Sequence, residues 1–403
     1  MRIATLQFAP KLGDVDGNIR KANDLLQHGK ILTLDGKTKL PVGVELNSLR
    51  PELLVLPEMA LTGMYMRVCL FISSRVETTR PLSTRETTWR LIYFLGYNFP
   101  SLDAIKPYLE PAGTGISATW ARDTAKHFQC KVCVGYPEIE TSADGTEPAK
   151  YYNSLIVVDE HGQVEHNYRK SFLYYTDETW ASEGNVERGF HELSFRPDDA
   201  STRTPDPVGD IRRAADAESG AADAPGKAAS NETRVATSFG ICMDINPYKF
   251  EAPWTKWEFA NRVLDSKSQL VVLSMAWLTH STRQDLEALD GEPDMDTFNY
   301  WLQRFWPLME KEMQHCGEGD SPKQVVLVFA NRAGEEPAAD DEKPPVQYAG
   351  TSAVVAVSQA RTGSREGPEV KILCWDLLGA VEEGICFADT AADPKMVFRL
   401  KTA

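Results

Sequence analysis

The sequence predicts an α/β protein whose sheets and helices stack in layers. Short apolar, β-branched runs recur along the chain, and stretches with apolar residues at helical spacing lie between several of them. A hairpin-like pair around Gly162 points to mixed rather than purely parallel sheets.

The elements follow in order. Residues 1–8 (MRIATLQF) alternate like a first strand, and residues 17–28 carry helical spacing through Ile19, Ala22, Leu25 and Leu26. Residues 53–56 read as a buried strand running into Pro57-Glu58. The turn Gly113-Thr114-Gly115 opens a helix over 116–128, and strands follow at 131–135 and 153–159. Further strands are expected at 235–241, 270–274, 325–330 and 353–357, with helices at 256–266 and 298–316 among them. Residues 197–234, rich in Ala, Asp, Pro, Gly and Ser and without a hydrophobic period, read as a disordered surface loop. Residues 334–345 form a shorter acidic loop. Because strands resume after each, residues 1–403 are expected to form one domain.

With 42% hydrophobic and 25% charged residues, the composition is that of a globular protein. A formal net charge of −15 argues against nucleic-acid and anionic-membrane partners. Seven scattered cysteines do not read as a disulfide framework and fit a reducing compartment. The chain opens on a strand-like run rather than a secretory signal, and it contains no apolar run of transmembrane length. A cytoplasmic location is the expectation.

Three residues stand where chemistry could be done. Cys242 follows an apolar strand in Thr237–Asp244 (TSFGICMD), a position that exposes a nucleophile above a sheet edge and near backbone N–H groups. A thiol there needs a base or a cation to become a nucleophile. Lys170, flanked by aromatics in NYRKSFLYY, could supply the cation. Glu58, at the end of an uncharged strand, could be a base of raised pKa. Taken singly, each is more often a core cysteine, an exposed strand-end lysine or a helix cap.

Together they form a distinctive order. Pro-Glu near the start, Tyr-Arg-Lys in the middle and Gly-Ile-Cys-x-Asp later resemble the nitrilase superfamily of carbon–nitrogen hydrolases. Within it, NYRKSFLY (167–174), GICMD (240–244), PYKF (247–250), MAWL (275–278), EPDM (292–295), NYWL (299–302), Arg304-Phe305, ANR (330–332) and AGTS (349–352) are similar to the fungal N-terminal amidases. These blocks span nearly the whole chain.

The resemblance implies a nitrilase-type four-layer α-β-β-α sandwich formed by a single carbon–nitrogen hydrolase domain. It implies hydrolysis of the side-chain amide of N-terminal Asn or Gln in proteins or peptides, feeding an N-degron pathway without metal or other cofactor. Cys242, Lys170 and Glu58 fall on the family's nucleophile, cation and base. A second family glutamate, eight residues after the lysine, falls on Glu178, where a supporting role is expected. The Met243 backbone N–H is expected to hold an oxyanion. Asp177, Glu178 and Asp244 are candidates for gripping the substrate α-amino group, with Trp180 and Trp277 as aromatic walls. Asp244 has the alternative role of fixing the nucleophile turn. Another small-amide hydrolase, or a scaffold that has lost turnover, would fit the same motifs.

Other features carry less. Cys130-Lys131-Val132-Cys133 has metal-like spacing but no second pair, so two core or edge cysteines are expected. A Gly-x-Ser-x-Gly elbow is absent from the sequence. Residues 64–96 interrupt the run that the family continues after Thr62-Gly63, and Gly96-Tyr97-Asn98-Phe99 restores it. That stretch reads as translated intron or a recent insertion, and it begins six residues after Glu58.

Overall fold

The computed structural model describes residues 1–34, 38–42, 45–63, 101–142, 144, 146–196, 232–313, 322–336, 345–360 and 369–399. Among these, two large mixed sheets lie face to face. The first runs in the order Gly384–Asp389, Arg2–Gln7, Leu53–Val55, Lys131–Glu140, Lys150–Val158, Val164–Arg169, and Glu110–Pro111 also pairs with Lys131–Glu140. The second runs Met396–Arg399, Glu369–Leu377, Ala353–Ala360, Lys323–Ala330, Leu270–Ser274, Thr233–Ile241, Phe190–Phe195. Parallel pairs occupy the centre of each sheet and antiparallel pairs the edges.

Alternation along the strands creates the layers. Leu53 and Val55 point into the core between the sheets, whereas Leu54 and Leu56 point outward. In the second sheet Leu270 and Val272 face inward, and Val271 and Leu273 outward. Strands buried on both faces read as continuous apolar runs, which is why 53–56 and 270–274 lack polar alternation.

The helices Val15–His28 and Ile116–Phe128 cover the outer face of the first sheet with Ala22, Leu25, Leu26, Trp120, Ala121 and Ala125. Glu258–Asp265 and Met295–Arg304 cover the second, through Phe259, Val263, Phe298 and Trp301. Each fully buried side chain of this kind contributes about 1.5–3 kcal/mol. The result is the α-β-β-α sandwich. Cys133 lies in the inter-sheet core and Cys130 in the outer one, both as free thiols.

Several expected boundaries shift. The helix expected over 298–316 is two pieces, Met295–Arg304 and Pro307–Glu310, because Pro307 lacks the N–H that would continue the first. The strand expected at 235–241 already starts at Thr233, where pairing to Phe195 begins, so the loop read as ending at residue 234 is shorter at that end. Glu369–Leu377 and Gly384–Asp389 were not expected as strands. Residues 64–96 and 197–231 lie outside the described residues.

Candidate active site

Two strand ends of the first sheet and one of the second converge. Glu58 stands just beyond Leu53–Val55, Lys170 just after Val164–Arg169, and Cys242 just after Thr233–Ile241. Close backbone approach makes room for the first two. A Cβ on Gly135 would lie 2.9 Å from Glu58 Cα, and one on Gly184 only 2.1 Å from the Arg169 carbonyl oxygen. Neither glycine can be enlarged without moving a candidate catalytic residue.

Lys170 is fully buried, and its ammonium donates to Glu58 Oε1 at 2.8 Å and to Asp177 Oδ2 at 2.7 Å. Asn153 Nδ2 donates to Glu58 Oε1 at 2.6 Å and to Asp177 Oδ1 at 3.3 Å, joining the two carboxylates from the other side. Burial alone would drive the lysine toward neutrality. The Asp177 and Glu58 carboxylates outweigh it and hold the lysine pKa above its ordinary value. The site therefore contains one ammonium between two carboxylates.

Cys242 is almost fully buried and has φ of 40°, in the left-handed region that a side chain rarely occupies. It opens a short 3-10 turn, Cys242–Ile245. Met243 is next, and N–H groups in such a first turn lack partners within the turn itself. Burial raises the Cys242 thiol pKa well above normal and the Glu58 carboxylate adds to that. Lys170 and a hydrogen bond from the Ala276 backbone N–H work the other way. Cys242 thus rests as a neutral thiol.

The sheets are clasped around this point. Glu58 N–H donates to the Met275 carbonyl (3.3 Å), and Ser274 Oγ to the Leu56 carbonyl (2.9 Å). Asp244 accepts from the backbone N–H groups of Ile241 (2.7 Å), Phe172 (2.8 Å) and Ser171 (3.1 Å), and from the Tyr168 hydroxyl (2.8 Å). One buried carboxylate thus fixes the Cys242 turn to the segment after Lys170. Asn331 performs a similar service for the neighbouring loop, accepting from Trp277 N–H (2.6 Å) and donating to the Gly350 carbonyl (2.8 Å).

Not all candidate residues meet here. Asp177 does, whereas Glu178 is exposed and pairs with Lys249 at 3.5 Å. Tyr174 N–H also donates to Asp177 Oδ2 (3.1 Å), so the short 3-10 turn Asp177–Thr179 presents the first carboxylate inward and the second outward. Asp244 and Asp177 each accept several donors from within the protein. Trp180 is buried against Met59, Ala276 and Tyr348, and its indole N–H has no acceptor among the described residues. Trp277 is half-buried, its ring 5.3 Å from Tyr300 and 6.0 Å from Trp301. Sequence reading missed Asn153, Asn331, Gly135 and Gly184. Only Asn331 had a local signal, the ANR block. Among the described residues no cluster of three His, Cys, Asp or Glu could hold a metal, and no helix is long and apolar enough to cross a membrane.

A mixed α-β-β-α sandwich with a buried Glu–Lys pair beside a strand-end cysteine defines the class as amide- or nitrile-type hydrolases using a thiol. Residues 2–246 match the carbon–nitrogen hydrolase family, and the chain belongs to it. It is 28% identical over 376 residues to the protein N-terminal amidase of Schizosaccharomyces pombe, covering 90% of this chain and 93% of that one. It is also 28% identical to the protein N-terminal amidase of Saccharomyces cerevisiae over 364 residues, 77% of this chain and 64% of that longer protein. A crystal structure of an N-terminal amidase with an Asn-Glu-Ala peptide superposes with a TM-score of 0.59 at 20% identity, over 100% of this chain and 99% of the other.

Proposed function

We propose that this chain is a cytoplasmic protein N-terminal amidase. It converts the carboxamide of an N-terminal Asn or Gln to a carboxylate and ammonia, and so feeds an N-degron pathway. The observation that carries this reading is the buried Lys170 ammonium held between Glu58 and Asp177 beside the Cys242 thiol. The two fungal relatives supply the substrate class.

The chemistry follows from the groups. Glu58 takes the thiol proton as Cys242 Sγ bonds to the amide carbon, and the carbonyl π electrons move to oxygen. The Lys170 ammonium and the Met243 N–H stabilise that oxyanion. Protonated Glu58 delivers its proton to nitrogen, the C–N bond breaks, and ammonia leaves a thioester. Glu58 then takes a proton from water as the hydroxide oxygen attacks the thioester carbon. Collapse expels the Cys242 thiolate, which recovers the proton from Glu58. Asp177 and Asn153 position Lys170 and Glu58, Asp244 fixes the turn, and Trp180 and Trp277 wall the first-residue pocket. The buried indole N–H of Trp180 is suited to donate to bound substrate.

Ammonia release from short peptides beginning with Asn or Gln tests the proposal, with Cys242→Ala as control. Release by the wild-type chain alone is expected. Turnover confined to free small amides, or none with any amide, would discard it.

A further inference from the structure

The segment that leaves the Cys242 turn folds into a tight turn of its own, with Phe250 N–H on the Pro247 carbonyl (2.9 Å) and Glu251 N–H on the Tyr248 carbonyl (3.0 Å). Lys249 (φ 53°) and Phe250 (φ 54°) are consecutive left-handed residues, and neither is glycine. Elsewhere Arg50 and Gln129 adopt this conformation as ordinary helix C-caps. Met59 and Cys242 adopt it inside the site. Such strain tends to collect where a side chain must be held for a ligand.

What the strain holds is an aromatic surface. Phe250 lies 5.7 Å from Tyr175 and 6.2 Å from Tyr174, edge-on to the latter, and the two tyrosines are 5.1 Å apart. All three rings are half-buried. Tyr174 links them to the reaction centre: its N–H donates to Asp177 Oδ2, and its ring packs against the cluster of Met59, Trp180 and Ala276. Around the rings the charges are already paired, Lys249 with Glu178 and the Tyr248 hydroxyl with Glu183 at 2.8 Å.

We propose that Tyr175 and Phe250 form a subsite for the side chain of the substrate's second residue, favouring large apolar side chains over glycine or charged ones. This rests on the amidase reading. A first residue held at Cys242 places the second Cα about 3.8 Å further along the chain, and Tyr174, packed against Met59, Trp180 and Ala276, joins the rings to that region. The faces of three aromatic rings offer a side chain mainly apolar contact.

Ammonia release from Gln-Gly, Gln-Leu, Gln-Phe, Gln-Glu and Gln-Lys peptides measures the preference. The wild-type kcat/KM for Gln-Phe and Gln-Leu should exceed that for Gln-Gly about tenfold, mainly through KM. In Phe250→Ala and Tyr175→Ala the Phe:Gly ratio should fall toward one. Each variant is checked by thermal melting, and either folded variant suffices. A flat wild-type profile, a ratio that survives both substitutions, or an equal preference for Glu or Lys overturns the subsite. A wild-type chain that releases no ammonia from any of the five peptides overturns the amidase reading itself.

Discussion

The charge cluster of the first sheet and the Cys242 turn of the second are held by different means. Glu58, Lys170 and Asp177 are fixed by ion pairing, with their side chains fully buried. The turn at Cys242 is fixed by neutral backbone donors converging on Asp244, and by strain in Cys242 itself. Charges supply reactivity and are expensive to leave unpaired. Neutral donors converging on the Asp244 carboxylate supply position and leave the thiol's local charge to be set from across the sheets. The division predicts that damage to the two regions should look different.

Removing the nucleophile separates them most widely. Cys242→Ala should lower kcat by at least about 10³-fold while thermal stability changes little, because a small apolar group replaces a neutral thiol. Lys170→Met should cost both. Two facing carboxylates would lose their common cation, and breaking a buried pair in this way destabilises by about 3–5 kcal/mol. Activity assays paired with denaturant melts measure this; equal stability losses for the two variants would dissolve the comparison.

Much of this contrast was legible in the sequence, and the illegible part has a common cause. Runs such as LLVLPE and TSFGICMD announce a strand that ends in a reactive residue, because apolar continuity and abrupt polarity sit within a few positions. The Asp177–Glu178 pair could not be ordered that way. Both are acidic neighbours, and which one turns inward depends on a single 3-10 turn and on the Tyr174 N–H. Asn153 lies mid-strand and is separated from Glu58 by 95 positions, so no spacing joins them. The strands 369–377 and 384–389 escaped for a similar reason: their partners, 353–360 and 2–7, are what stabilise them.

The strands that lead to the two regions also touch away from the site. His166, two residues before Tyr168, stacks on His191 of the other sheet at 4.7 Å and lies 5.2 Å from Phe239 of the nucleophile strand. Its Nε2–H donates to the Arg188 carbonyl at 2.9 Å. Burial first, then the neighbouring His191, lowers its pKa from 6.5 to about 4. The unfolded chain therefore takes up this proton near pH 6.5 and the folded chain only near pH 4. The His166 contribution to stability is complete above about 6.5, falls as the pH drops and levels out below about 4, a loss on the order of 3 kcal/mol. Denaturant midpoints across that window should fall less steeply in His166→Gln, whose amide can still reach the carbonyl; parallel slopes would show that His166 does not contribute.

The finest division lies between adjacent carboxylates. Asp177→Asn keeps one oxygen that can accept from Tyr174 N–H, but it sets an NH2 against Asn153 Nδ2 and removes one of the two charges holding Lys170. The ammonium would then be shared with Glu58 alone, binding the base more tightly and making its proton transfer harder. A loss of about 10–10² in kcat/KM is expected, on the order of 1.4–2.7 kcal/mol. Glu178→Gln alters only an exposed pair with Lys249, and such pairs are worth about 0–1 kcal/mol, so a change within about twofold should result. Position eight after the lysine favours Glu178 for the supporting role, and the geometry favours Asp177. Steady-state rates for both variants decide between them: a severe Glu178→Gln defect beside a mild Asp177→Asn one would return that role to Glu178.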